Sequence, residues 1–91
     1  MKTTNRTVLV TGAAQGIGYA IAQEFIANGD YVAIFDLNEE AAVAAAEKLG
    51  NAKGYKVNVA DETSVKTAID SVIAERGSVD VVVNNAGLQF I

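Results

Sequence analysis

The residues of this chain best suited to chemistry are glycines. Thr11-Gly12-Ala13-Ala14-Gln15-Gly16-Ile17-Gly18 follows the apolar run Thr7-Val8-Leu9-Val10 and opens a stretch with helical spacing. A strand, a glycine turn and a helix in that order aim unpaired backbone N–H groups and the positive end of the helix dipole at one point. A pyrophosphate fits at such a point. Gly12 lets the chain leave the strand in a sharp turn that favours positive φ. Gly16, without a Cβ, lets phosphate oxygens come close to the backbone, and Gly18 lets the helix approach the strand. The spacing is Gly-x-x-x-Gly-x-Gly rather than Gly-x-Gly-x-x-Gly, and glycines after a strand also serve as plain turn residues.

An acid completes the pattern. The second apolar run, Tyr31-Val32-Ala33-Ile34-Phe35, ends in Asp36. An acidic residue about 20 positions past the glycines accepts hydrogen bonds from the adenosine ribose hydroxyls of a bound dinucleotide. Asp36 is also placed to cap the next helix, although Asn38 suits that task better. A carboxylate at this place repels a 2′-phosphate, and neither Gln15 nor Leu37 supplies a cation to hold one. The expected cofactor is therefore NAD rather than NADP.

Other chemistries are limited by composition. The chain has no cysteine and no histidine, which removes disulfides and thiolate sites and leaves little for zinc. Its 91 residues suffice for one small domain, and 51% hydrophobic with 20% charged residues is a globular balance. A net charge of −4 disfavours nucleic acid and anionic membranes as partners. No apolar run reaches the length of a bilayer span, and the polar start Met1 to Arg6 leads straight into a strand, unlike a secretion signal. The expected compartment is the cytoplasm.

The elements that must position the glycines and Asp36 follow in order. The first helix presents Ile17, Ala20, Ile21, Ala22, Phe25 and Ile26 to the sheet and stops at Asn28-Gly29. Asn38 caps a helix with Glu39 and Glu40 favoured in its first turn, and its alanine-rich stretch from Ala41 to Leu49 ends at Gly50. Gly54 to Val59 reads as a third strand. Asp61 caps a third helix whose apolar face is Val65, Ala68, Ile69, Val72 and Ile73, closed by Gly77. Val79 to Val83 reads as a fourth strand, followed by the turn Asn84-Asn85-Ala86-Gly87. Right-handed crossovers turn this β-α-β-α-β-α-β order into an α/β fold, a Rossmann-type parallel sheet in strand order 3-2-1-4. The glycine turn and Asn84 to Gly87 then face each other across one crevice at the carboxyl ends of the strands.

With these pieces placed, the chain resembles the short-chain dehydrogenase/reductase family over essentially its whole length. The matching residues are Thr11 to Gly18, Asp36, the pair Asn58-Val59, and Asn84 to Gly87. The resemblance implies that Asn58 and Val59 line the adenine, where the family usually has Asp-Val, and that Asn85, Ala86 and Gly87 flank the ribose nearest the nicotinamide. Gly87-Leu88-Gln89-Phe90 together with Asp36 is most similar to the 3-hydroxybutyrate dehydrogenase branch, with acetoin/butanediol reductases and 3-oxoacyl-carrier-protein reductases as competitors. Catalysis in the family uses a Tyr, a Lys four residues later and a Ser. Here Tyr19, Tyr31 and Tyr55 are followed at that spacing by Gln23, Phe35 and Val59. All three tyrosines are therefore expected to be structural, no catalytic residue is assigned, and residues 1–91 are expected to be a partial dinucleotide-binding domain, truncated after the fourth strand and inactive alone. The edge formed by residues 79–83 is then expected to drive self-association. Two alternatives stay open: a fragment of an S-adenosylmethionine-binding methyltransferase, and a truncated or engineered structural fragment that binds no ligand.

Overall fold

Two runs of branched apolar residues form the middle of the sheet, β1 (Thr7–Thr11) and β2 (Tyr31–Asp36), paired in parallel with Val8 opposite Val32 and Val10 opposite Ile34. The computed structural model describes residues 6–86. The other elements are α1 (Gly16–Ala27), α2 (Glu39–Leu49), β3 (Ala52–Lys56), α3 (Glu62–Arg76) and β4 (Val81–Val83). The sheet is parallel in the order β3-β2-β1-β4, as the alternation of strands and helices predicts. Successive side chains of a strand point to opposite faces. Val8, Val10, Val32 and Ile34 accordingly pack under α1 and α2, while Leu9, Ala33 and Phe35 pack under α3.

The helix ends are set by local hydrogen bonds. At the end of α1, Gly29 N donates to Ile26 O and Asp30 N to Phe25 O, both at 3.0 Å, a closure that delivers Asp30 to the start of β2. Asp30 is fully buried, and its carboxylate accepts from Arg6 N, Nε and Nη2 at 3.1–3.3 Å. This ion pair ties the starts of β1 and β2 together. Asn38 caps α2 through Ala41 N at 3.0 Å, and the helix begins at Glu39 with Glu39 and Glu40 in its first turn, as expected. Asp61 caps α3 through Thr63 N and Ser64 N.

Four expectations are corrected. The third strand runs from Ala52 to Lys56, not from Gly54 to Val59: Val57 N closes the ladder on Asp36 O, and Asn58 then folds back on Ala60. The fourth strand starts at Val81, because the Asp80 carboxylate takes the Thr7 N–H at 2.8 Å. In α3, Ala68 and Val72 are buried and Val65 and Ile69 partly so, whereas Ile73 is 42% exposed. In α1, Ile17, at 73%, and Ala20 are exposed, and the packed face is Ile21, Ala22, Phe25 and Ile26. The tyrosines serve packing. Tyr55 donates to Glu75 at 2.5 Å and meets the Phe35 ring edge-on, Tyr31 lies beneath the Arg76 guanidinium at 4.0 Å, and Tyr19 packs against the core of the α1 face. Burial, and then the Glu75 bond, push the Tyr55 phenol above its ordinary pKa.

The alanine face of α2 lies very close to β3. A Cβ on Gly54 would stand 2.4 Å from the backbone carbon of Ala42 and 2.5 Å from its oxygen. A glycine inside a strand marks such an approach. Gly54→Ala is expected to lower unfolding stability by about 1–3 kcal/mol, as overpacking does, measured by urea denaturation. A change within about 0.5 kcal/mol, the size of an ordinary surface substitution, would show that α2 yields freely.

Candidate functional site

The carboxyl ends of β1, β2 and β4 and the turn after β3 enclose a crevice of about 600 Å³. That volume lies within the range of small-molecule sites. Gly12, Gln15, Gly16 and Ile17 form one wall, Asp36 and Leu37 another, and Asn58, Val59, Asn85 and Ala86 the remainder. The glycine turn and Asp36 are expected there from residue type and spacing, and Asn58, Val59, Asn85 and Ala86 from the family resemblance. Phe35 and Val57 form part of the floor and are expected from neither; they are apolar residues at or just past strand ends, where only exact strand limits reveal a floor. Gly18 sits behind the wall, buried, and Gly87 lies outside the described residues.

The glycine turn is held from two sides. Gly12 has φ +64°, and its N–H donates to Phe35 O at 2.7 Å. Its carbonyl accepts from Asn85 Nδ2 at 3.2 Å. A Cβ on Gly18 would come within 2.2 Å of the Gly12 oxygen and 2.7 Å of Asn85 Nδ2. The close approach expected of Gly18 is therefore to the turn rather than to the strand proper. Thr11, nearly buried, adds a second connection: its Oγ1 accepts from Ala86 N at 2.9 Å and donates to Asn84 Oδ1 at 3.4 Å. The sequence pattern did not single out Thr11 for that role. Gly16 also has positive φ, +63°, and a Cβ there would meet nothing within 4 Å, so the backbone is bare toward the crevice.

The three helices differ at their amino ends. α2 has its Asn38 cap with Glu39 and Glu40 in the first turn, and α3 its Asp61 cap with Glu62. At α1 the capping residue Gln15 makes no side-chain cap bond, and the first turn contains no acid. The first N–H groups of a helix need acceptors. Gly16 and Ile17, in the first turn of α1, line the crevice, where an anion would satisfy both the donors and the dipole. Asp36 closes the opposite side. Its Oδ2 accepts Ala14 N at 3.3 Å and its Oδ1 accepts Asn38 N at 3.1 Å. These bonds orient the carboxylate and leave lone pairs for hydroxyl donors. A donor-rich helix end beside an oriented carboxylate suits a ligand that carries both phosphates and a diol. Among the described residues no cluster of His, Cys, Asp and Glu could hold a metal ion, and no helix is long and apolar enough to cross a membrane.

Residues 6–90 match the short chain dehydrogenase family. The chain belongs to that family. Similar members include D-threitol dehydrogenase of Mycolicibacterium smegmatis, 46% identical over 87 residues that make up 91% of this chain and 34% of that protein. The 3-oxoacyl-(acyl-carrier-protein) reductase FabG of Escherichia coli is 42% identical over 89 residues, 97% of this chain and 36% of its own length. Among solved structures, menthone neomenthol reductase from Mentha piperita superposes with a TM-score of 0.87 at 33% identity, over 94% of this chain and 33% of that one. The chain thus spans about a third of the length of the relatives it matches. Short-chain dehydrogenases are oxidoreductases that work with a nicotinamide dinucleotide, and the crevice lies where an open α/β sheet binds its ligand.

Gly18→Ala tests the packing behind the crevice. It is expected to cost about 1–3 kcal/mol of stability through overpacking and to move the Gly12 amide resonance, measured by urea denaturation and ¹H–¹⁵N correlation spectra. Wild-type stability with an unmoved Gly12 signal would contradict the close approach.

Proposed function

We propose that residues 1–91 form the NAD-binding part of a short-chain dehydrogenase, which moves hydride between NAD and a small hydroxy or keto compound when the rest of the polypeptide is present. The observation that carries this reading is the meeting of the uncapped α1 end and the Asp36 carboxylate in one crevice. The first N–H groups of α1 bind the pyrophosphate, the Gly12 and Ala14 N–H groups being taken by Phe35 O and Asp36 Oδ2, and Asp36 accepts the adenosine ribose hydroxyls. Asn58 and Val59 line the adenine; Asn85, Ala86 and Gly87 flank the ribose nearest the nicotinamide. Bound NAD supplies the hydride acceptor, and this part of the chain supplies its position. Asp36, fixed by two backbone N–H groups, rejects a 2′-phosphate, and no cation stands at Gln15 or Leu37 to offset it. The dehydrogenase and reductase names of the relatives support an alcohol or ketone substrate, and the polyol and 3-oxoacyl names among them favour no single one.

The proton-transfer step belongs to other segments. No tyrosine here precedes a lysine at the family's spacing. The Tyr55 hydroxyl is bound by Glu75 and the Tyr31 ring is covered by Arg76. As a 91-residue chain, this part offers the edge of β4, three valines of which Val82 is 58% exposed, to a second copy.

Calorimetry with NAD is expected to show saturable binding that Asp36→Ala weakens about tenfold or more, the worth of a hydrogen bond to a charged group. NADP is expected to bind at least about tenfold more weakly than NAD to the wild type, from the like-charge contact. Failure to bind either dinucleotide in a cooperatively folded sample would contradict the reading, and equal affinity for the two would contradict the cofactor choice. In sedimentation, the chain is expected to associate at high concentration and Val82→Lys to return it to monomer; a monomeric wild type would remove the edge-pairing proposal.

A further inference from the structure

We propose that Asp80 is a positioning residue for the crevice: its carboxylate sets the register of β4 on β1 and so delivers Asn85 and Ala86 to the glycine turn. The ligand of the crevice rests on the reading above, whereas the register does not. β4 consists of Val81, Val82 and Val83, with Val79 just before them. Side-chain pattern selects a register because a slip of one residue turns every side chain to the opposite face of the sheet. A run of one residue type gives that rule nothing to act on. Val81 and Val83 pack toward α1 and α2, and Val82 stands on the other face, 58% exposed. After a slip of one, valines would still fill both places. Among the described residues β4 pairs with β1 alone, so no second strand corrects it.

The fixed point lies at the start of the strand. Thr7 N donates to Asp80 Oδ2 and Asp80 N donates to Thr7 O, both at 2.8 Å. A residue that gives to and takes from one partner defines a single pairing, and Asp80 is the one polar side chain between Val79 and Val83. Ser78 Oγ donates to the same carboxylate at 3.4 Å. The resulting register sets Val8 opposite Val81 and Val10 opposite Val83. Carried past the strand, it brings Asn85 Nδ2 to Gly12 O at 3.2 Å and Ala86 N to Thr11 Oγ1 at 2.9 Å. A slip of one residue would shift both groups by about 3.3 Å along the strand and turn Asn85 to the other face. Neither bond survives such a shift. Asp80 itself stands at the opposite end of β4, away from the residues that line the crevice.

The test reads register in dilute solution from nuclear Overhauser effects between β1 and β4, with the Gly12 and Ala86 amide resonances reporting on the crevice. Asp80→Ala is expected to lose the Val8–Val81 pairing and to move or double both resonances. Asp80→Asn keeps a side-chain oxygen for the Thr7 N–H and is expected to retain the native pairing. A double variant separates register from plain stability. In Asp80→Ala/Val82→Lys a slip would turn a charge toward the α1 face, where burial is costly, so the native pairing is expected to return. If losing one hydrogen bond to a charged group leaves the native register about a tenth of the population, NAD affinity falls about tenfold with it. Asp80→Ala with native pairing and unmoved Gly12 and Ala86 signals overturns the assignment, as does an Asp80→Asn protein that slips. So does a double variant that stays slipped or unfolded, or a slipped Asp80→Ala protein that binds NAD as the wild type does. A wild type that binds no NAD overturns the dinucleotide reading, while the pairing still decides the role of Asp80.

Discussion

The site depends on one steric condition: Gly18 must lie against the carbonyl of Gly12. Any side chain at Gly18 would occupy the place of that oxygen and of the Asn85 amide. With the space free, α1 starts close against the turn after β1, and Gly16 and Ile17 of its first turn line the crevice. Asn85 then reaches across from the end of β4 to bind the same carbonyl, and Thr11 receives the Ala86 N–H beside it. Two strands, a turn and a helix are thereby locked around one peptide unit. Packing this dense responds to single methyl groups, which is why a residue that touches no ligand governs the shape of the wall.

The same end of the sheet shows how charge is divided. α2 and α3 receive side-chain caps and acids in their first turns, and α1 receives neither. A protein folding for stability alone would cap all three, since a cap contributes about 1 kcal/mol. Asp36 is drawn into the arrangement as a bridge. It joins the end of β2 to the glycine turn through Ala14 and to the start of α2 through Asn38. One carboxylate therefore orders three segments while turned toward the crevice.

What the sequence revealed, and what it hid, follows from how local each signal is. The glycines, Asp36, the Asn38 and Asp61 caps and the strand order come from short patterns and from the handedness of crossovers, and the structure places them as expected. Strand limits depend on distant partners. The run Tyr55 to Val59 alternates well enough to continue, but the turn built by Asn58 ends it. Val79 and Asp80 read as strand until the Asp80 carboxylate captures the Thr7 N–H. Helical periodicity put Ile17, Ala20 and Ile73 on inward faces, and all three are exposed. Gly54 carried the mark of a close backbone approach, yet the pattern alone could not name α2 as the neighbour.

The two rims of the sheet are unlike. β3 carries Lys53 and Lys56, both exposed, and Lys53 and Tyr55 are further bound by Glu75 of α3. β4 carries three valines. Charged side chains discourage a strand from docking, whereas bare valines invite it. The sheet is thus a one-ended template, like a polymer with a blocked terminus: the β4 rim, not the β3 rim, is the one open to a further strand. A strand added there would leave the Asp36 side of the crevice untouched and would add walls only beyond Asn85.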